Sequence, residues 1–426
     1  MHEFTSTLDE YQLHEFPNGL RLYHQQVASR ITHCGFVIDA GSRDEYEEEM
    51  GMAHFIEHLL FKGTTHRKSI HILNRLEVVG GELNAYTTKD KTCVYAAVNS
   101  DYFPRTAELL SDIVFYSNFP EKELEKERNV IHEEIDMYLD SPEENILDLF
   151  QEKAFPNHAL GYNILGTHQS LNKLDRTSIL HFYRSWYTPE KMVFVYSGPK
   201  SFKQVIRILD KQLSVVPAAK GQAKTRISFN SEIYSPFVET QKTSHVQTYL
   251  TLGGLAPSNQ MEERSAMALL TNIMGGPGLN SRLNLAIREK HGFAYDVETS
   301  FQTMRDMGQF HIYLGTDKRH LEKARELIFK ELKFWREKGL NKNQLERYKN
   351  QFKGQILMGE ENRSGLILSA GKMLLDNRPI DSLEKVFERI DAITSEQMRE
   401  LANQYLHPDR LSELIFLGDK IPDEEE

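Results

Sequence analysis

Two histidines and a glutamate stand close together in the apolar stretch His54-Phe55-Ile56-Glu57-His58. If this stretch is a helix, His54 and His58 lie one turn apart on the same face, so both imidazoles can bind one ion. Glu57 then lies beside them, where its carboxylate can accept a proton from a metal-bound water. The pattern predicts a hydrolytic zinc centre with His54 and His58 as ligands and Glu57 as general base. The alternative is two core histidines hydrogen-bonded to the backbone.

A third protein ligand is expected, because catalytic zinc usually takes three and leaves one position for water. Residues 121–138 predict a long helix. On that helix Glu127 and Glu134 share a face, whereas Glu133 is rotated about 100° from Glu134 and should be solvated. We expect Glu134 to be the third ligand and Glu127 to orient a metal-bound histidine. The alternative for Glu127 is a salt bridge with a nearby Arg or Lys. The same face carries three apolar residues that should point inward, Val130, Ile131 and Met137.

The elements around these residues mix strands and helices without regular alternation. Residues 20–24 follow the turn signal Pro17-Asn18-Gly19 and predict a strand, as do residues 34–40 and 92–98. This order is typical of an α+β fold, in which helices pack on a mainly antiparallel sheet.

The chain repeats itself after about half its length. Thr177 and Thr394 both precede a helix that leads into a strand, and they lie 217 residues apart (394 − 177). Gly198 and Gly418 end those strands at an offset of 220 (418 − 198). Chance similarity of helix–turn–strand units is the alternative to a duplication. A duplication predicts a zinc-binding domain, a linker and a homologous domain without a metal site, at residues 1–216, 217–227 and 228–426.

Composition narrows the class of protein. The 426 residues are 40% apolar and 27% charged, as in an ordinary globular protein, and the net charge of −11 argues against nucleic acid as a partner. Two cysteines, Cys34 and Cys93, lie in apolar surroundings and are expected to be buried free thiols. The acidic run at residues 44–49 is interpreted as a solvated loop. Residues 1–6 show no leader pattern and no stretch is long and apolar enough to span a membrane, so the cytoplasm is the expected location.

The whole constellation resembles the pitrilysin and insulin-degrading enzyme family of metallopeptidases. His-x-x-Glu-His is the inverzincin order. Glu134 follows His58 by 76 residues (134 − 58), within a segment similar to that family's. The most similar branch is the half-length one that contains mitochondrial processing peptidase and its bacterial relatives. The resemblance runs from about residue 15 to 418, with further matching stretches at residues 39–45, 80–90 and 160–167.

This resemblance implies a zinc-dependent endopeptidase with one Zn²⁺ per chain, although the ligand set also suits cobalt or manganese. In the family a peptide substrate pairs with an exposed sheet edge near the metal, here residues 82–88, with Asn84 and Ala85 nearest the scissile bond. An open edge offers backbone donors and acceptors without demanding a sequence. Gly80-Gly81 before it also fits a tight turn.

The second half carries Arg288 and Tyr295, seven residues apart, which resemble the family's substrate contacts. Such side chains bind the substrate backbone and help to stabilise the tetrahedral intermediate. A structural Arg–Glu pair and a core tyrosine are the alternative. One half-length chain thus carries both the His-x-x-Glu-His motif and the Arg–Tyr pair. By resemblance, this implies a homodimer that encloses a chamber, with Arg288 and Tyr295 acting across subunits. The loop at residues 275–282 differs in sequence from the loop that is usual in the family, so the substrate preference stays open.

Two rival interpretations remain at this point. One is a non-catalytic subunit, because core proteins of a respiratory complex share this fold. The intact set His54, Glu57, His58 and Glu134 argues against it. The other is an enzyme half that requires a different partner chain.

Overall fold

The computed structural model describes residues 11–218 and 226–419. Residues 1–6 and most of the predicted linker, residues 219–225, lie outside this part of the chain. The chain forms two compact units, and neither is continuous in sequence. The first unit comprises the chain up to residue 135 with residues 162–227 and 359–383. The second comprises residues 136–161, 228–358 and those from 384 onward.

Eleven strands are found in the described residues. In chain order they are β1 (Tyr11–Glu15), β2 (Arg21–Gln26), β3 (Ile31–Ile38), β4 (Glu82–Thr87), β5 (Thr92–Asn99), β6 (Met192–Gly198), β7 (Val238–Thr243), β8 (Thr248–Ala256), β9 (Ala294–Thr303), β10 (Gly308–Thr316) and β11 (Ser412–Gly418).

The α-helices of the same residues are α1 (Met52–Leu60), α2 (Ser69–Glu77), α3 (Phe103–Phe115), α4 (Glu121–Asp140), α5 (Pro142–Ala154), α6 (His168–Leu171), α7 (Arg176–Trp186), α8 (Phe202–Leu213), α9 (Arg264–Gly275), α10 (Leu321–Glu337), α11 (Lys342–Gly359), α12 (Arg363–Leu375), α13 (Leu383–Ala392) and α14 (Ser395–Tyr405). None of the described helices is both long and apolar enough to cross a bilayer.

The first unit is built on a six-stranded sheet in the order β1-β2-β6-β3-β5-β4. Only the β2–β6 pair is parallel. Strand β6 is buried along its whole length because helices cover both faces of the sheet. On one face Phe194 packs against Phe36, which in turn contacts Phe115 of α3. On the other face Val195 lies under α12, so close that a side chain at Gly371 would collide with it.

The second unit repeats this plan with a five-stranded sheet in the order β7-β11-β8-β10-β9. The β7–β11 pair is parallel and the other pairs are antiparallel, as in the series β2-β6-β3-β5-β4. Helix α5 packs on β8 and β11 through Ile146 and Phe150. The predicted α+β class, with mainly antiparallel sheets and helices packed on them, is confirmed. The shared strand order supports the proposed duplication, whose bounds at residues 1–216 and 228–426 stay a prediction.

Several local predictions have a definite outcome. The helix expected at residues 121–138 is α4, and both cysteines are buried and free. The inward orientation expected for Val130 and Met137 is wrong, because these side chains are 46% and 61% exposed. The buried stripe of α4 instead passes through Leu124, Glu127, Arg128, Ile131 and Ile135.

The acidic run also differs from expectation. Asp44 and Glu45 are buried, whereas residues 46–48 are exposed. Asp44 is compensated by Arg226, whose guanidinium lies 2.6 Å from its carboxylate. Both carboxylates have hydrogen-bond partners inside the unit, which is what permits their burial.

Candidate metal centre

Helix α1, which carries the histidine pair, begins at a buried carboxylate. Glu45 Oε2 accepts the backbone N–H of Gly51 at 2.9 Å, and Glu45 Oε1 accepts that of Ala53 at 2.8 Å. A negatively charged hydrogen-bond acceptor is favourable there, because the first N–H groups of a helix lack partners within the helix. Glu45 was missed in the sequence, since it lies too far ahead of the helix for a capping-box spacing.

A close crossing of two chain segments also fixes the start of α1. Gly51 has φ of 91°, and a Cβ added to it would lie 2.7 Å from the carbonyl oxygen of Leu165. Gly166 has φ of 77°, and a Cβ there would lie 2.7 Å from the carbonyl oxygen of Met50. Only glycine tolerates both the left-handed backbone and this approach at little cost. The two glycines therefore pin the first turn of α1 in place.

Three candidate ligands converge where α1 meets α4. His58 Nε2 lies 3.6 Å and His54 Nε2 lies 3.9 Å from Glu134 Oε2. One ligand atom from each of the three residues falls within 4.8 Å of the others. Zinc bonds of about 2.0–2.1 Å in a tetrahedron place ligand atoms about 3.3 Å apart. The two distances to Glu134, 3.6 and 3.9 Å, are close to that spacing.

The polar groups of this cluster fit a cation. The two distances to Glu134 are too long for direct hydrogen bonds, so the ligand atoms face one another without satisfying one another. Burial, with a smaller contribution from the neighbouring His58, lowers the pKa of His54 to about 3, which keeps the His54 imidazole neutral as a ligand must be. Burial raises the pKa of Glu134, and a bound cation would offset that penalty.

Glu127 lies behind the histidines and joins two side chains. Its Oε2 is 3.4 Å from His58 Nδ1, and its Oε1 is 2.8 Å from the ammonium of Lys62. Glu127 therefore faces a candidate ligand and also forms a salt bridge, and its role in orienting a metal-bound histidine stays a prediction. Lys62 was missed, although it stands four positions after His58, a spacing that places side chains on the same side of a helical segment.

Glu57 is held by a hydroxyl from the sheet. Thr87 Oγ1 donates to Glu57 Oε2 at 2.6 Å. Burial raises the pKa of Glu57, while the Thr87 bond and His58 oppose that rise. Thr87 was not singled out in the sequence, because threonine is common in strands and nothing in its spacing points to Glu57.

A groove of about 610 Å³ runs past Glu57 and His58. Asn84 and Ala85 of β4 line one wall, together with Leu83, and Phe61 of the segment after α1 lines another. Strand β4 is the edge of its sheet, and no further strand pairs with it in the described residues. The groove therefore brings a free strand edge to the candidate metal ligands.

Arg288 and Tyr295 lie in the second unit. Arg288 belongs to the π-helical segment Asn284–Glu289, and its guanidinium carbon is 5.5 Å from the centre of the Tyr295 ring. Tyr295 is the second residue of β9 and is 83% exposed, so it is not a core tyrosine. The pair is thus available to a ligand, and its contact with substrate stays a prediction.

Two family models match the chain. The model described as insulinase (peptidase family M16) matches residues 22–168, and that described as the peptidase M16 inactive domain matches residues 173–352. The uncharacterized zinc protease YmxG of Bacillus subtilis is 32% identical over 95% of this chain and 98% of its own. The beta subunit of mitochondrial-processing peptidase from Neurospora crassa is 27% identical over 91% of this chain and 83% of its own.

Solved structures share the fold. A protease from Helicobacter pylori superimposes with a TM-score of 0.88 at 18% identity, covering 97% of this chain and 100% of that one. An M16-like peptidase from Alicyclobacillus acidocaldarius gives 0.85 at 20% identity, covering 96% and 98%.

Proposed function

The chain belongs to the insulinase family of zinc-dependent peptidases, peptidase family M16, and from this premise we propose that it is an endopeptidase acting on peptides and unfolded segments. The observation that carries the proposal is the convergence of His54, His58 and Glu134 beside the carboxylate of Glu57. A non-catalytic subunit would have no need of this set.

The proposed ligands of one Zn²⁺ per chain are His54, His58 and Glu134. When bound, zinc supplies a Lewis acid that polarises a peptide carbonyl and activates water at neutral pH. Glu127 fits the role of orienting His58, since it faces the imidazole nitrogen that points away from Glu134. Lys62 holds the other oxygen of that carboxylate.

Glu57 is the proposed general base. Its carboxylate accepts a proton from the attacking water and then delivers that proton to the leaving nitrogen. Thr87 occupies only Oε2, which leaves Oε1 for the water. The raised pKa of Glu57 suits a group that must both take up and release a proton.

The substrate is proposed to pair with β4 as an extra strand. Asn84 and Ala85 would then lie nearest the scissile bond, since both line the groove that contains Glu57 and His58. Backbone pairing recognises an extended chain whatever its sequence, which favours unfolded segments over folded proteins.

The last part of the proposal concerns how copies of the chain assemble. The occurrence of both motifs in one chain favours a homodimer that encloses a chamber, with Arg288 and Tyr295 acting across subunits and Tyr295 donating to the developing oxyanion. Sedimentation of the pure protein, with activity measured on the same sample, tests this. A purely monomeric active enzyme would contradict it. A cytoplasmic location stays a prediction that cell fractionation tests.

The deciding experiment combines elemental analysis with hydrolysis of a quenched-peptide library, with and without chelator. About one zinc per chain and chelator-sensitive cleavage are expected. Glu57→Gln should retain zinc and lose cleavage. Folded protein with neither zinc nor cleavage would favour a structural subunit, and zinc without cleavage would favour an obligate partner chain.

A further inference from the structure

The hydroxyl of Thr87 is the one side-chain group in the described residues that hydrogen-bonds Glu57, at 2.6 Å. Thr87 is the last residue of β4, the edge strand that lines the groove. Successive side chains of a strand point to opposite faces, so Thr87 and Ala85 share the face toward α1. The hydroxyl that holds Glu57 therefore comes from the strand proposed to bind substrate.

The end of β4 is itself firmly fixed. Thr87 pairs with Thr92 of β5, whose hydroxyl donates to the buried carbonyl oxygen of Ala40 at 3.0 Å. The connecting turn closes through the Thr88 N–H, which donates to the carbonyl oxygen of Lys91 at 2.8 Å. Lys91 is buried and lies 2.9 Å from Asp39 and 3.0 Å from Asp376. A hydroxyl carried on such a rigid support holds its acceptor in one place.

We propose that Thr87 is a positioning residue for hydrolysis, which ties the carboxylate of Glu57 to the strand that carries the substrate. The proposal rests on the proposed function, since it concerns the base of that reaction. If the substrate backbone pairs with β4 and the base is also anchored to β4, the same strand fixes the positions of both. Thr87 lies two residues, or about 6.6 Å, along the strand from Ala85, so one strand positions both the base and the substrate.

The physical reason is the geometric demand of proton transfer. A base must lie within hydrogen-bond reach of the proton that it takes, and a displacement of about 1 Å costs on the order of a hundredfold in rate. Without the Thr87 bond, the Glu57 carboxylate can rotate about its side-chain torsions. Binding of the peptide and of the metal involves other groups, so neither should change.

The experiment compares Thr87→Val, which keeps the shape and β-branching but removes the hydroxyl, with Thr87→Ser, which keeps the hydroxyl. For Thr87→Val we expect kcat to fall by about tenfold to a hundredfold with KM changed by less than about twofold. Thr87→Ser should recover kcat to within about threefold of wild type. Zinc content should stay at one per chain in both variants. The affinity of the zinc-free protein for a fluorescent peptide should be unchanged.

Thr106→Val is the matched control, because the buried hydroxyl of this α3 residue bonds only the backbone carbonyl of Tyr102. Its kcat should stay within about threefold of wild type, whatever its melting temperature.

Three outcomes would overturn the proposal: an unchanged kcat in Thr87→Val, a loss confined to KM or to zinc content, or an equal loss in Thr106→Val. They are distinct from failure of the proposed function, in which wild-type protein itself holds no zinc and cleaves no peptide.

Discussion

Asn272 Nδ2 donates a hydrogen bond to Gln355 Oε1 at 2.9 Å within the second unit. Gln355 stands on α11 at the position that Glu134 holds on α4, at an offset of 221 (355 − 134). In the first unit the Glu134 carboxylate lies 3.6 and 3.9 Å from two imidazoles, too far for a hydrogen bond. In the second unit two neutral amides form a direct hydrogen bond instead. Two neutral amides that bond each other offer a cation no anionic ligand.

This contrast predicts that all tightly bound zinc belongs to the first unit. Glu134→Gln should lower the zinc content from about one per chain to near zero, because the only anionic ligand is lost. Gln355→Glu should leave it at one, since no histidine accompanies the new carboxylate. Elemental analysis after dialysis against a weak chelator measures both. A content near two in wild type would contradict the assignment.

The position of Glu127 predicts a second effect on the metal. Glu127→Gln keeps the shape of the side chain but removes the charge that faces His58 Nδ1, so zinc affinity should fall by about tenfold to a hundredfold. Competition with a fluorescent chelator gives the dissociation constant. Glu123→Gln on the same helix is the control, because Glu123 forms an exposed pair with Lys126 at 2.8 Å. Equal affinities in the two variants would show that Glu127 has no part in binding.

The carboxylate at the start of α1 predicts a loss of stability. Glu45→Ala leaves the N–H groups of Gly51 and Ala53 buried without their acceptor, which should lower the free energy of unfolding by about 1–3 kcal/mol. Urea unfolding of the zinc-free protein measures this change. Glu48→Ala, at an exposed position of the same acidic run, should change it by less than about 0.5 kcal/mol. A similar effect of the two substitutions would refute the role given to Glu45.

A buried histidine predicts how stability depends on pH. His311 of β10 packs edge-on against Phe150, and burial lowers its pKa to about 4, against about 6.5 in an unfolded chain. Well above pH 6.5 neither state binds the proton. As pH falls toward 4 the unfolded state binds it first, so stability present at neutral pH is lost on acidification.

The loss attributable to His311 between pH 7 and 5 is about 2 kcal/mol. His311→Leu should remove that part of the pH dependence, as measured by urea unfolding of variant and wild type at both pH values. Other buried groups cancel in the difference between the two proteins. Parallel pH profiles would mean that the histidine is hydrated in solution.

Some residues of the candidate site can be predicted from the sequence, and others cannot. His54, His58 and Glu134 could be brought together in advance because helix periodicity fixes which side chains share a face. Glu45, Lys62 and Thr87 could not, since each acts through a contact set by the packing of other elements. The orientation of α4 shows the same limit. Periodicity places Ile131 and Glu127 inward, but the exact width of the buried stripe depends on neighbours, and Val130 and Met137 fall outside it.

The placement of α5 and α12 has a consequence for how this chain can be divided. Helix α5 precedes residue 217 yet covers the second sheet, and α12 follows residue 227 yet covers the first. A cut between residues 217 and 227 would therefore give two fragments, each lacking a helix that shields its own sheet. Neither fragment should fold alone, whereas the two mixed together should reconstitute by exchanging these helices. Each half of the sequence thus contributes a helix to the unit that is built mainly from the other half.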